Sequence, residues 1–200
     1  VEYLWHKNHS LNNSDVVILP GGFSYGDYIR TGAVAKLSPI MNEVKEFAER
    51  DGIVIGICNG FQILCESGLL PGVLLKNINL KFVCKDIYLT AVNTSSIFSQ
   101  NINRSLLIPV AHGEGNYFCD DVTLSDLKKN NQIIFKYSSK DGDVDNSSNP
   151  NGSMENIAGI MNRKGNVFGM MPHPERVCNP LLGNSDGKLF FESIYKSLIK

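Results

Sequence analysis

The chain has 200 residues and 42% hydrophobic content, enough to bury one full core and suited to one domain rather than two. With 19 basic residues against 20 acidic ones it carries no electrostatic footprint for nucleic acid. No apolar run approaches the roughly 20 residues that span a bilayer, so a soluble, cytoplasmic protein with small-molecule or protein partners is expected.

In chain order, the first half alternates apolar runs bounded by glycine with amphipathic stretches, which is how a parallel α/β sheet reads. Val16 to Leu19 predicts a strand running into Pro20-Gly21-Gly22. Ser38-Pro39 opens a helix, with Ser38 as its cap and Pro39 in its first turn; Ile40, Val44, Phe47 and Ala48 form the buried stripe and Gly52 ends it. Ile53 to Ile57 predicts a central strand, apolar on both faces, that stops at Cys58. Phe61 to Ser67 predicts a helix closed by Gly68.

In the second half, strands are expected at Lys81 to Leu89, Leu107 to Ala111, Ile133 to Tyr137, Ile157 to Met161 and Val167 to Met171, some of them antiparallel. Asn162 to Asn166 predicts a hairpin turn between the last two. Asp141 to Asn156, rich in Asp, Asn, Ser and Gly, reads as a linker or as an ordered substrate-side loop, and composition favours the linker. Phe190, Ile194 and Leu198 mark a final helix with one apolar face. The fold class expected is α/β: a mixed, mostly parallel central sheet flanked by helices, in one domain over residues 1–200. Only fifteen residues precede the Val16 strand and residue 1 is Val, so a native first strand and helix are expected to be missing, with an unfilled position in the sheet.

The five cysteines are odd in number and include no C-x-x-C pair, which argues against a disulfide framework and against a metal site. One of them stands apart. Ile55-Gly56-Ile57-Cys58-Asn59-Gly60-Phe61-Gln62 puts Cys58 between glycines at a strand-to-helix turn, the setting of a nucleophile elbow. The following helix should favour its thiolate through its N-terminal amides. Cys65, Cys84, Cys119 and Cys178 read as structural.

Among His6, His9, His112 and His173, only His173 sits in a stiff frame, Met171-Pro172-His173-Pro174-Glu175-Arg176. The two prolines should hold that segment extended, so that His173 and Glu175 project to the same side. A cysteine, a histidine base and a carboxylate that orients the imidazole make a generalised triad. Oxyanion donors are expected from the backbone N–H groups of Asn59 and Gly22. Gly-Gly-Phe-Ser-Tyr-Gly at 21 to 26 matches neither a dinucleotide fingerprint nor a P-loop, so nucleotide binding by this chain is not expected.

Gly-Ile-Cys-Asn-Gly-Phe-Gln-Ile-Leu at 56 to 64, PGGFSYGDYIR at 20 to 30, AHGEG at 111 to 115, NPNGSMENIAGI at 149 to 160 and GMMPHPER at 169 to 176 together resemble the class I, triad-type glutamine amidotransferases, which have a flavodoxin-like fold. Within that family the set is most similar to the branch that serves purine biosynthesis. The resemblance implies that Cys58 attacks the side-chain amide of glutamine to give a glutamyl thioester and ammonia. It also implies that Gln62 and the backbone around His112 and Gly113 hold the glutamine. It further implies no cofactor in this chain, and delivery of ammonia to a separate synthetase subunit that uses ATP, Mg and formylglycinamide ribonucleotide, sometimes with a small third subunit. Two rivals, a stand-alone cysteine hydrolase and a silent interaction module, share the elbow but leave the full motif set unexplained.

Overall fold

The computed structural model describes residues 1–199. The chain forms strands β1 (Val16–Leu19), β2 (Ile53–Ile57), β3 (Val73–Leu75), β4 (Val83–Ala91), β5 (Leu106–His112), β6 (Asn116–Phe118), β7 (Ile133–Ser138), β8 (Ile157–Met161) and β9 (Val167–Met170). The helices are α1 (Ile40–Glu49), α2 (Asn59–Glu66), α3 (Asp121–Lys129) and α4 (Asp186–Leu198). One seven-stranded sheet runs β1-β2-β9-β8-β7-β4-β5, and β3 pairs with β6 in a small separate ribbon. β1, β2 and β9 are parallel; from β9 through β8, β7, β4 and β5 every pairing is antiparallel. This is the mixed α/β class expected, with its parallel part confined to β1, β2 and β9 and four of the six pairings in the sheet antiparallel.

β2 is buried from Val54 onward, with α1 and α2 packed against it, which is why it reads as an unbroken apolar run. A cluster of rings, Phe98, Phe135, Phe168 and Phe190, fills the space between the sheet and α4, with Phe98 stacked on Phe168 at 4.8 Å. α2 lies closer to the sheet than an ordinary helix could, because a Cβ at Gly60 would stand 2.0 Å from the Leu19 carbonyl oxygen and one at Gly56 would stand 2.6 Å from Gly60 C. The glycines around Cys58 therefore set the depth at which the elbow is held.

Several local expectations need correction. Ser38 does not cap α1: its hydroxyl is buried against the Tyr25 hydroxyl at 3.1 Å, and Pro39 takes the cap position. Gly52 is not the left-handed residue that ends the helix. Asp51 adopts that conformation (φ 65°), and Gly52 is required because the Phe47 ring leaves no room for a Cβ. Leu198 falls largely outside the apolar face of α4, being 44% exposed, while Phe190 and Ile194 are buried. The segment from Asp141 to Asn156 is ordered rather than a linker: Asp145 caps a short 3-10 turn, and the buried Asn156 amide donates to the Tyr137 and Asp145 carbonyls. Elements β3, β6 and α3 have no counterpart among the predicted ones.

At the other end of the sheet β1 is the edge strand, with Ile18 about half exposed, and residues 1–15 form no strand beside it. Among the described residues, no helix is long and apolar enough to cross a membrane, and no group of three or more His, Cys, Asp or Glu side chains is arranged to hold a metal ion.

Candidate active site

β2 ends at Ile57 and α2 begins at Asn59, so Cys58 alone makes the turn, in a backbone conformation (φ 52°, ψ −105°) that a side-chain-bearing residue adopts only under constraint. The Cys58 backbone N–H donates to the Met170 carbonyl at 2.7 Å, which ties the elbow to β9 and hence to the segment carrying His173. The thiol itself lies 3.8 Å from the Ala111 carbonyl oxygen of β5.

The thiolate expected from the helix N-terminus is not the resting state. Burial pushes the Cys58 thiol up to about 12; the Asn59 N–H directed at the sulfur and the Arg176 charge pull the other way but do not offset it. A protonated thiol at neutral pH needs a base. One measurement checks this directly: alkylation of Cys58 by iodoacetamide should accelerate about tenfold per pH unit from pH 7 to 10 without levelling, since only the thiolate reacts. A plateau below pH 8 would mean that the helix amides prevail.

His173 follows β9 and is anchored by its N–H to the Pro109 carbonyl at 2.9 Å. The residue is 1% exposed. Nδ1 meets the Glu175 carboxylate at 2.6 Å, while Nε2 is buried with no partner. The geometry that joins His173 to Glu175 is not the extended one expected from the prolines. Pro174 starts a short 3-10 turn, Pro174–Val177, because its fixed φ suits a first helical position, and that turn brings the carboxylate back onto the ring.

A cleft of about 250 Å³ opens onto Cys58 and His173. Gly21, rather than Gly22, is the glycine wedged between them: a Cβ there would stand 2.7 Å from the His173 ring and 3.5 Å from Cys58 Cβ, whereas one at Gly22 would meet nothing. Gly22 also lines the cleft.

Gln62 and His112 border the cleft too, but their polar atoms face the protein. The Asn59 amide accepts from the Ser24 N–H at 3.2 Å and donates to Gln62 Oε1 at 2.8 Å, and Gln62 Nε2 donates to the Glu114 carbonyl at 2.6 Å. This relay joins the loop after β1 to the loop after β5 across the first turn of α2.

The His112 ring, 2% exposed, sits between Asn77 Oδ1 at 3.1 Å and the Asn151 amide nitrogen at 3.4 Å. Burial, aided by the neighbouring His173, lowers its pKa to about 4, so His112 is neutral and Nδ1 is the donor to Asn77. Asn77 also accepts from the Gly115 N–H at 3.0 Å and bonds the His112 carbonyl at 2.8 Å, while its backbone N–H donates to Gly113 O at 2.9 Å. That leaves the backbone of residues 112–115, held rigid, as the surface this loop offers to the cleft.

Eight residues of the cleft are not among the sequence candidates: Gly21, Phe23, Asp27, Thr31, Phe82, Ala111, Glu114 and Arg176. Asp27, Glu114 and Arg176 lie inside motif stretches quoted above, so a charged residue next to a functional glycine or histidine was the signal available. Asn77 and Asn151 are both fully buried; Asn151 lies in the quoted stretch 149 to 160, while nothing in the sequence picks out Asn77.

A strained cysteine at an elbow, a histidine held by a carboxylate and a cleft joining them fit an enzyme of the cysteine-nucleophile kind, and the profile of the CobB/CobQ-like glutamine amidotransferase domain matches residues 1–188. Phosphoribosylformylglycinamidine synthase subunit PurQ of Koribacter versatilis is 53% identical over all of this chain and 87% of that relative. The subunit of the same name from Moorella thermoacetica is 54% identical over 97% of this chain and 83% of its own length. Among solved structures, that of PurLQS from Thermotoga maritima superposes with a TM-score of 0.82 at 44% identity, covering 94% of this chain and 82% of that one. The chain belongs to the PurQ family of phosphoribosylformylglycinamidine synthase subunits.

Proposed function

We propose that the chain hydrolyses glutamine to glutamate and ammonia through Cys58, His173 and Glu175. It supplies the ammonia to a synthetase subunit that converts formylglycinamide ribonucleotide to formylglycinamidine ribonucleotide, with ATP and Mg used on that partner. The observation that supports this reading best is the His173 ring: Nδ1 is occupied by Glu175 while the buried Nε2 is left unpaired beside the cleft that holds Cys58.

In this reading His173 Nε2 takes the Cys58 proton as the sulfur bonds to the amide carbon. The same proton then passes to the departing nitrogen as the C–N bond breaks and ammonia leaves. Water adds to the thioester with its proton going to His173, and the C–S bond breaks to release glutamate and restore the thiol. The backbone N–H groups of Asn59 and Gly22 face the developing oxyanion. Gln62 acts through its bond to the Glu114 carbonyl, holding the backbone of residues 112–115 against the substrate.

The reading includes control by the partner. Free ammonia in neutral water is mostly protonated and lost as a nucleophile, so uncoupled hydrolysis wastes glutamine. The loop after β1 carries Phe23, Tyr28 and Ile29 largely exposed, and is fastened behind by Arg30, whose guanidinium makes a two-point contact with the buried Glu66 carboxylate at 2.6 and 2.7 Å. Pressure on that surface would reach Gly22 directly. Glutamine turnover by the chain alone should therefore be weak and rise strongly when synthetase, nucleotide and acceptor substrate are added, and Arg30→Ala should blunt the rise while Cys58 still reacts with a glutamine-directed diazoketone. Equal turnover in both conditions would refute the control.

A further inference from the structure

We propose that the side chain of Asn59 is a positioning group: its carboxamide fastens the loop that carries Gly22 to the first turn of α2, and so sets the place of one oxyanion donor relative to the other, the N–H of Asn59 itself. The proposal rests on the glutaminase reading and deepens it.

Asn59 is 2% exposed, and both ends of its carboxamide are in use. Oδ1 accepts from the Ser24 N–H at 3.2 Å, and Nδ2 donates to Gln62 Oε1 at 2.8 Å. The direction of this row is fixed. A backbone N–H can only donate, so Oδ1 must face Ser24; Nδ2 then faces Gln62, whose Nε2 is left to donate to the Glu114 carbonyl at 2.6 Å. Reversing either amide would set donor against donor or acceptor against acceptor, and the aligned amides strengthen one another. The carboxamide therefore binds protein to protein, and its work is to hold the loop.

The loop needs such a fastening. Tyr25, Asp27 and Ile29 are non-glycine residues with φ of 54°, 54° and 72°, a conformation that persists only where the surroundings hold it. Nothing lies within 4 Å of where a Gly22 Cβ would stand, so packing on that side does not locate the donor, and its neighbours must. The far end of the loop is also fixed to α2: Arg30 meets Glu66 in the last turn of the helix, and a Cβ at Gly32 would stand 2.8 Å from Ile63 N. Ser24 is the near end, next but one to Gly22. Its bond to Asn59 is thus the fastening closest to the donor, and it is made by the residue that follows Cys58.

Asn59→Ala removes the carboxamide and keeps the N–H. In the chain assembled with its synthetase partner, it should lower kcat for glutamine by roughly tenfold to hundredfold, somewhat less than outright loss of an oxyanion donor. Gln62→Met breaks the row beyond Asn59 and leaves the Ser24 bond in place, so it should act mainly through KM, raising it roughly tenfold, and lower kcat far less than Asn59→Ala does. Asn59→Leu, of similar volume, repeats the test if Asn59→Ala does not fold. An unchanged kcat in Asn59→Ala, or an equal fall in Gln62→Met, would overturn the assignment. Hydrogen exchange at the Ser24 amide of the full chain reads the fastening without turnover: it should be slow in the unsubstituted chain and in Gln62→Met, and at least tenfold faster in Asn59→Ala. Equal Ser24 exchange with and without the carboxamide would also overturn it. If the unsubstituted complex released no ammonia, the glutaminase reading would fail by itself, and Ser24 exchange would still decide whether Asn59 holds the loop.

Discussion

Cys58→Ala should abolish ammonia release from glutamine, and His173→Ala should lower kcat by about 10⁴-fold, with the fold intact in both. The two effects arise at one bond. With the thiol held at about 12, the fraction ionised at neutral pH is negligible, and the unpaired Nε2 of His173 is the acceptor left to take its proton. Glu175→Gln should cost less, about a hundredfold, because it removes the charge that steadies the imidazolium while leaving the imidazole in place. The Glu175 carboxylate is 43% exposed, so solvent weakens its hold further. Ammonia assays on the three variants, with thermal melts alongside, give the ranking. Turnover retained in Cys58→Ala, or a deeper loss in Glu175→Gln than in His173→Ala, would reverse the assignment of roles.

Gly187→Ala should destabilise the protein by about 3 kcal/mol and disable the site as well. Within a helix a glycine-to-alanine change normally stabilises by up to about 1 kcal/mol, so the sign is informative. Here a Cβ in the first turn of α4 would stand 1.9 Å from the Pro174 carbonyl oxygen, closer than any real contact. Either α4 lifts off the ring cluster around Phe190 or the Pro174–Val177 turn moves and takes Glu175 from His173. Gly60→Ala, at 2.0 Å from the Leu19 carbonyl, should cost a similar amount. Melting midpoints about 10 °C below the unsubstituted chain are expected for both. A Gly187→Ala protein with unchanged melting and full activity would mean that the contact yields without cost.

The parts legible in the sequence are those in which one residue type admits one explanation. Cys58 between Gly56 and Gly60 after a β-branched run reads as an elbow because such runs make strands and only glycine allows α2 to sit on the Leu19 carbonyl. The predicted bounds of strands β7, β8 and β9 lie within a residue of the observed ones, since buried strands in mid-sheet are mostly apolar, Lys136 and Ser138 of β7 being the exceptions. Short elements escaped for the opposite reason. β3 and β6 have three residues each, too few to show a period, and exist because they pair with each other. α3 was legible in principle: Asp120 accepts from the Thr123 N–H at 2.7 Å, and Lys128 and Lys129 close the helix, but its weak apolar face hid it. Asn77 and Asn151 could not be singled out, because their importance comes from His112, a residue they meet only after folding.

The order of strands also governs when the enzyme comes into being. β9 is formed late in the sequence yet lies in the middle of the sheet, the one strand that joins the parallel part to the antiparallel part. A chain leaving the ribosome can pair β1 with β2, and β4 with β5 and β7, but no strand pairing joins the two parts of the sheet until Val167–Met170 is released. Cys58 and His173 therefore come together across the sheet only after β9 has emerged and paired with β2. On the proposed mechanism, a chain that has not yet made β9 has a thiol but no base to take its proton.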